Sequence, residues 1–264
     1  MTGSKLGTWM LCGALVATAP LAAVDRPYDE TVDRLVDSAC RRLDYFSNEM
    51  DSKAKGAKVT REGVETDVSD FMKDWKGDCK LFQERFGAND MASGNALDFL
   101  RKAKATEGFI ARHPGFTGAD SEWDDVRPAA VGLATAYNID WNSDPATWKP
   151  VRSSDKAITA MLAGLDKQVK GLGKSVTKAG KAAMVDKAAL KGVSDSIVAL
   201  GSSAKSFRGA FAKKQPIGAV ADGFFDGVAG VESGIASLGL GDATAAAMKP
   251  LAGSVKSLGT AFGR

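Results

Sequence analysis

Apolar residues recur at alternating steps of three and four through most of the C-terminal half of the chain. One run is Ile158, Leu162, Leu165, Val169, Leu172, Val176, and the next Leu190, Val193, Ile197, Leu200, Ala204, Phe207, Phe211. A third is Ile217, Ala221, Phe224, Val228, Val231, Ile235, Leu238, and the last is Met248, Leu251, Val255, Leu258, Phe262. Such spacing draws a narrow apolar seam along a helix, the pattern of helical bundles and coiled coils. The N-terminal half carries related seams, at Val32, Val36, Ala39, Leu43, Phe46, Met50 and, longer, from Val64 through Val68, Phe71, Trp75, Cys79 and Phe82 to Phe86. Leu97, Leu100, Ala103 and Ile110 predict a third helix ending at His113-Pro114-Gly115. A fourth, with Ser121 as its N-cap and Asp124 three residues on, runs through Trp123, Val126, Ala130, Leu133 and Tyr137. Pro128 falls inside it and removes a hydrogen bond. The expected fold is all-α: two tandem antiparallel four-helix bundles, or one elongated helical bundle.

Charge divides the chain at the same place. Residues 24–148 hold 17 Lys+Arg against 24 Asp+Glu, a net of −7, and residues 149–264 hold 17 against 8, a net of +9. Trp75, Trp123, Trp141 and Trp148 lie in the first part, whereas the second is rich in Gly, Ala, Ser and Lys. Turn chemistry at Asn142-Ser143-Asp144-Pro145 and from Lys149-Pro150 to Ser154 sets the boundary near residue 150.

The beginning of the sequence reads as an export signal over residues 1–23. Lys5 precedes an uncharged run from Leu6 to Ala23, with Pro20 and then Ala22-Ala23 near the expected cut. An uncleaved anchor is the alternative reading of the same run. Bulky residues before Cys12 speak against lipidation. Export would permit a disulfide between Cys40 and Cys79. A hairpin turn centred near Lys55, however, would leave them roughly 13 Å apart at 1.5 Å per residue, and a bridge needs Cα atoms within about 7 Å. The expectation is two buried free thiols.

A pattern in the first part, Trp123-x-x-Val126-Arg127 followed by Leu133-Ala134-x-x-Tyr137-x-Ile139-x-Trp141, resembles a group of uncharacterised exported bacterial α-helical proteins. Asp33, Asp44, Phe46 and the stretch Phe82 to Phe86 extend the similarity, which covers less than half the chain. It implies an α-helical fold and an envelope or secreted location, and it carries no reaction or catalytic residue. Pro128 directly after Arg127 departs from an ideal helix.

Candidate chemistry is sparse. Trp123, Arg127, Tyr137 and Trp141 share a helical face, which reads either as an aromatic binding groove or as an aromatic core with a stacked Arg at its edge. His113 is the single histidine and suits a helix C-terminus better than a zinc site. Asp120, Glu122, Asp124 and Asp125 lack the glycine turn and terminal Glu of a calcium loop. Gly171-Leu172-Gly173-Lys174-Ser175 lacks the first glycine of a phosphate loop and follows no strand. Neither catalysis, a cofactor nor a metal is expected.

Two features point outward. Lys167, Lys170, Lys174, Lys178 and Lys181 form a basic stripe within residues 149–214, which hold 14 Lys+Arg and 4 Asp+Glu. The stripe suits an anionic envelope surface (lipid headgroups or polysaccharide), another envelope protein, or the acidic first half; it reads equally as a solvated helix face. Nucleic acid is a poor fit, since no aromatic residue interleaves with the lysines. Gly223-x-x-x-Gly227 and Gly230-x-x-x-Gly234 suggest close helix packing, or a segment from 217 to 240 able to enter a membrane. Asp222, Asp226 and Glu232 oppose a span, each costing about 2.5–3.5 kcal/mol at a bilayer centre. The expected protein is an exported, non-enzymatic helical protein of periplasmic or secreted location, with a structural or binding role and no permanent transmembrane span once the signal is removed. Alternatives are a membrane-active, pore-forming type and an enzyme with an unrecognised site.

Overall fold

The structure, a computed structural model, describes residues 23–88, 90–114 and 119–264. The expected export signal lies outside the described residues apart from Ala23. Eight helices are described: α1 Asp29–Lys53, α2 Val68–Gly87, α3 Ser93–Arg112, α4 Ala119–Ala136, α5 Asp155–Ala182, α6 Lys187–Ala212, α7 Gly218–Ser237 and α8 Gly241–Ala261. The all-α expectation holds. In the first set α1 packs on α2 and α4, and α3 joins α2 to α4; in the second α5 packs on α6 and α8, and α7 joins α6 to α8. Each set encloses its own apolar core, built from the three-four seams.

Three local expectations fail. Val64 belongs to no helix: β1 Lys58–Arg61 and β2 Val64–Asp67 form an antiparallel hairpin between α1 and α2. Its two-residue turn, Glu62-Gly63, has both φ angles positive, 51° and 81°, the conformation that matches the twist of paired strands. The hairpin also overturns the free-thiol expectation. Cys40 and Cys79 are disulfide-bonded, with Cα atoms 5.5 Å apart. The residues midway between them are Val59 and Thr60, within the hairpin, so the α1/α2 register is set there and not at Lys55. Ser121 is likewise not an N-cap, because α4 already begins at Ala119.

The two sets meet at a joint built from backbone and four charged side chains. The N-termini of α1 and α5 face each other, and each helix's first carboxylate accepts from the other's first amide. Asp29 N–H donates to Asp155 Oδ2 and Asp155 N–H donates to Asp29 Oδ2, both at 2.9 Å. Two arginines repeat the exchange. Arg26 donates to Asp155 Oδ1 (2.7 Å) and to the Ser153 carbonyl (2.6 Å). Arg152 donates to Asp29 Oδ1 (2.7 Å) and to the carbonyls of Pro27 (2.9 Å) and Ala136 (3.1 Å). Helix N-termini repel cations and attract anions, so the two carboxylates cap both helix ends and pair with both guanidinium groups.

The segment before α1 crosses onto the second set. Ala23 N–H donates to Asp222 Oδ1 (2.6 Å), and Val24 N–H to the Phe262 carbonyl (2.9 Å). Asp25 Oδ1 caps α7 by accepting from Ile217 (2.6 Å) and Gly218 (2.5 Å). Gly218 is needed there, since a Cβ would stand 2.9 Å from the Ala23 carbonyl oxygen.

Candidate functional site

On α5 the five lysines of the basic stripe all lie exposed, and at 3.6 residues per turn they fall within an arc of about 80°. Among the described residues none of the five forms an ion pair. The acidic first half therefore does not neutralise them. The carboxylates by which it meets the second half include Asp25, Asp29 and Glu30, whose partners lie off the stripe.

Two of these lysines border a concavity. Lys170 and Lys174 on α5 and Lys205 on α6 rim a groove of about 390 Å³ along the α5/α6 seam, within the 300–1,000 Å³ range of small-ligand sites. Val169 and Ile197 floor it, and Val198, 70% exposed, stands at its edge. The groove is lined by three hydroxyl residues, each of which donates within its own helix. Thr177 donates to the Gly173 carbonyl (2.8 Å), Ser194 to Leu190 (2.9 Å) and Ser202 to Val198 (3.3 Å). Each thus uses its proton on its own helix. Asp166, the one carboxylate on the lining, is held by Arg208 at 2.9 Å.

Two glycines hollow the seam. A Cβ on Gly173 would meet Ile197 at 3.5 Å, and one on Gly201 would meet Val169 at 3.7 Å, both ordinary contacts. Alanine would fit at either place, and glycine inside a helix costs roughly 1 kcal/mol relative to it. Packing does not explain these two residues. It does explain others: a Cβ on Gly180 would come within 2.5 Å of Leu190, and one on Gly234 within 3.1 Å of Val193.

The expected paired small-residue motifs of α7 divide in the same way. Gly227 and Gly234 face α6, while Gly223 and Gly230 have nothing within 4 Å. The apolar residues of α7, among them Phe224, Val228 and Val231, are buried in the second core. No described helix is long and apolar enough to cross a membrane.

The four residues of the aromatic candidate do not share a surface. Trp123 is buried against Phe46 (5.9 Å between ring centroids) and Trp75 (6.5 Å). Tyr137 is buried too, donating to the Met91 carbonyl at 2.5 Å, and burial pushes its phenol pKa up. Arg127 is not stacked on Trp123; it pairs with Glu107 at 2.7 Å. Trp141, buried, donates to the same carboxylate at 3.3 Å, and Lys104 reaches it at 2.5 Å while lying 5.0 Å above the Trp141 ring. Burial raises the Glu107 pKa, but the hydrogen bonds from Lys104, Arg127 and Trp141 outweigh it and hold the carboxyl below its ordinary value. Arg127 and Trp141 are thus joined through Glu107, a residue that spacing alone does not single out. The arrangement binds α3, α4 and the following loop together.

The remaining candidates are structural. His113 caps α3, with Nδ1 2.8 Å from the Phe109 carbonyl and the ring stacked on Phe109 at 4.3 Å. Asp120, Glu122, Asp124 and Asp125 fall in the opening turns of α4, where Asp125 pairs with Arg42 at 2.6 Å. Gly171 to Ser175 are helical, within α5. Among the described residues no three metal-ligating side chains converge. A larger concavity, about 590 Å³ along the α1/α2 seam, is walled by charges of both signs, including Asp37, Asp44, Lys76 and Lys80. It offers no apolar floor comparable to that of the α5/α6 groove. Compared with known proteins, the chain matches no family model, no curated protein and no solved structure.

Proposed function

We propose that this is an exported, non-enzymatic helical protein that binds an anionic lipid, with one acyl chain in the α5/α6 groove and the headgroup at the lysine rim. The observation that carries the reading is the coincidence of three properties in one place. The floor is apolar and its hydroxyls are satisfied within their own helices. The rim is cationic, at Lys170, Lys174 and Lys205. The seam is hollowed by two glycines that packing does not require. An apolar chain would displace water from the floor, and each buried CH₂ contributes about 0.8 kcal/mol. Lys167, Lys178 and Lys181 extend the positive field along α5 and would hold the protein against an anionic leaflet, at about 1 kcal/mol per cation near the surface.

The test uses the fluorescent fatty acid cis-parinaric acid for the groove and phosphatidylglycerol or phosphatidylcholine vesicles for the surface. Binding of parinarate, and sedimentation with phosphatidylglycerol vesicles only, are expected. Lys170→Gln with Lys174→Gln and Lys205→Gln should lose both. Gly173→Ala with Gly201→Ala should fill the groove and lose parinarate while the fold becomes more stable. Binding to an anionic polysaccharide but to neither lipid probe would replace the lipid reading.

A further inference from the structure

Most buried positions of the two helix sets correspond, with exceptions such as buried Phe71 against exposed Ser196. Those of α1, from Val32 to Met50, reappear in α5 from Ile158 to Val176 at the spacing that separates Asp29 from Asp155, 126 residues. Val36 becomes Leu162 and Phe46 becomes Leu172. The joint arginines, Arg26 and Arg152, keep the same step. After the hairpin the step shortens by one and then stays constant. In α2 and α6, Val68 matches Val193, Trp75 matches Leu200, and Phe86 matches Phe211. The bounds of α3, Ser93–Arg112, become those of α7, Gly218–Ser237, with Phe99 matching Phe224.

The correspondence extends to the helix ends. The Ile139 amide donates to the Ala134 carbonyl (2.9 Å) across Asn138, which is left-handed at φ 55°. The Arg264 amide donates to the Gly259 carbonyl (2.7 Å) across Gly263, left-handed at φ 69°. Tyr137 and Phe262, the residues just after α4 and α8, each accept a hydrogen bond from the extended segment leading into a first helix of the opposite set. Val151 N–H donates to Tyr137 and Val24 N–H donates to Phe262, both at 2.9 Å.

The same steps carry Cys40 onto Asp166 and Cys79 onto Ala204. The pairs match in environment as well: Cys40 and Asp166 are half-buried, Cys79 and Ala204 buried. The α5/α6 register agrees. The glycine contacts join Val169 to Gly201 and Gly173 to Ile197, and one further antiparallel turn from the first pair brings 166 opposite 204.

We infer that the chain is a duplicated four-helix repeat in which the α1/α2 seam of the first copy is locked by a disulfide, whereas the equivalent α5/α6 seam of the second copy is left unlocked and parts to admit its ligand. The second clause rests on the lipid-binding reading above. In the first copy the bridge holds the two helices at one separation. In the second the same level carries only the Asp166–Arg208 ion pair, with Asp166 one-quarter exposed and Arg208 more so. Such a pair is worth little and reforms readily, so the two helices can separate around a bulky chain and close again.

The experiment is to build Asp166→Cys with Ala204→Cys in the full chain, with Asp166→Ser plus Ala204→Ser as the control that cannot cross-link. Under oxidising conditions the Cys pair is expected to bridge, with peptide mapping showing 166 joined to 204 and 40 still joined to 79, and the helical dichroism unchanged. Parinarate binding should be at least tenfold weaker in the bridged protein than in the Ser control, which lacks the same carboxylate, and should return to the control's level on reduction. Wild type carried through the same reduction controls for loss of the native bridge. Free thiols at 166 and 204 with a folded protein would overturn the repeat register. A bridge that leaves parinarate binding unchanged would overturn the parting of the seam. A wild type that binds no parinarate would sink the lipid reading and the ligand role of the seam together, and the cross-link would still decide the duplication.

Discussion

Arg152→Met tests whether the joint couples the two helix sets. The Arg152 side chain is fully buried, and it donates to Asp29, to the Pro27 carbonyl and to the Ala136 carbonyl. Three hydrogen bonds from a charged donor are lost, each worth about 1.5–3 kcal/mol. The buried Met returns about 1.5–3 kcal/mol of apolar transfer. The difference brackets a destabilisation of about 1.5–7.5 kcal/mol, centred on the range of about 3–5 kcal/mol found when a buried ion pair loses one partner. The optical probes separate the two sets. All tryptophans among the described residues lie between 75 and 148, so fluorescence follows the first set, while far-ultraviolet dichroism follows both. In urea the wild-type curves should coincide. In the variant they should part, because residue 152, just before α5, is no longer tied to Asp29 and the Pro27 carbonyl at the start of α1. A loss below about 1 kcal/mol would refute the energetic reasoning, and curves that shift together would refute the coupling.

Glu107→Gln should destabilise the protein at neutral pH by about 1–2 kcal/mol, the worth of charged hydrogen bonds at a partly exposed site. Because the folded-state pKa of Glu107 lies below its unfolded value of 4.5, its stabilisation is present above that pH and disappears as pH falls through the folded pKa. Melting curves of variant and wild type should therefore converge in acid, and a gap that persists would exclude the carboxylate as its source. Cys40→Ser with Cys79→Ser removes a bridge of sequence separation 39, worth about 4 kcal/mol by loop-closure entropy; denaturant midpoints measure it, and a loss under about 1 kcal/mol would contradict the bridge. Gly173→Ala and Gly234→Ala should change stability in opposite directions. The first is expected to gain up to about 1 kcal/mol, and the second to lose about 1 kcal/mol or more by overpacking against Val193, both read by calorimetry.

The helices were legible because a buried seam forces apolar residues to recur at the helical period, and Ile158 to Val176 show that period without interruption. The hairpin was legible in principle, through β-branched Val59, Thr60, Val64 and Thr66 around Glu62-Gly63. Val64 also continues the period of α2, and the helical reading absorbed it. The disulfide followed that error, since its geometry depends on where the chain turns. The basic stripe showed in the sequence, but the groove did not, because Gly173 and Gly201 matter only once α5 and α6 are aligned. Glu107 was invisible for a similar reason: its partners come from three separate segments. The repeat hid behind side-chain identity. Trp75 and Leu200, or Cys79 and Ala204, share depth in the core and little else, and the opposite charge of the two surfaces masked the correspondence further.

The hydrogen bond between Val24 and Phe262 brings residue 262 of the folded backbone back beside residue 24. In a version of the chain made to start at Ala23, a short peptide bridge from Arg264 to Ala23 would close residues 23–264 into a ring without displacing a helix. Tying the ends removes freedom from the unfolded ensemble alone, and for a loop of roughly 240 residues the entropy term is about 5 kcal/mol. A macrocycle made by ligation would then resist heat and exopeptidases through its topology, with every native contact left as it was.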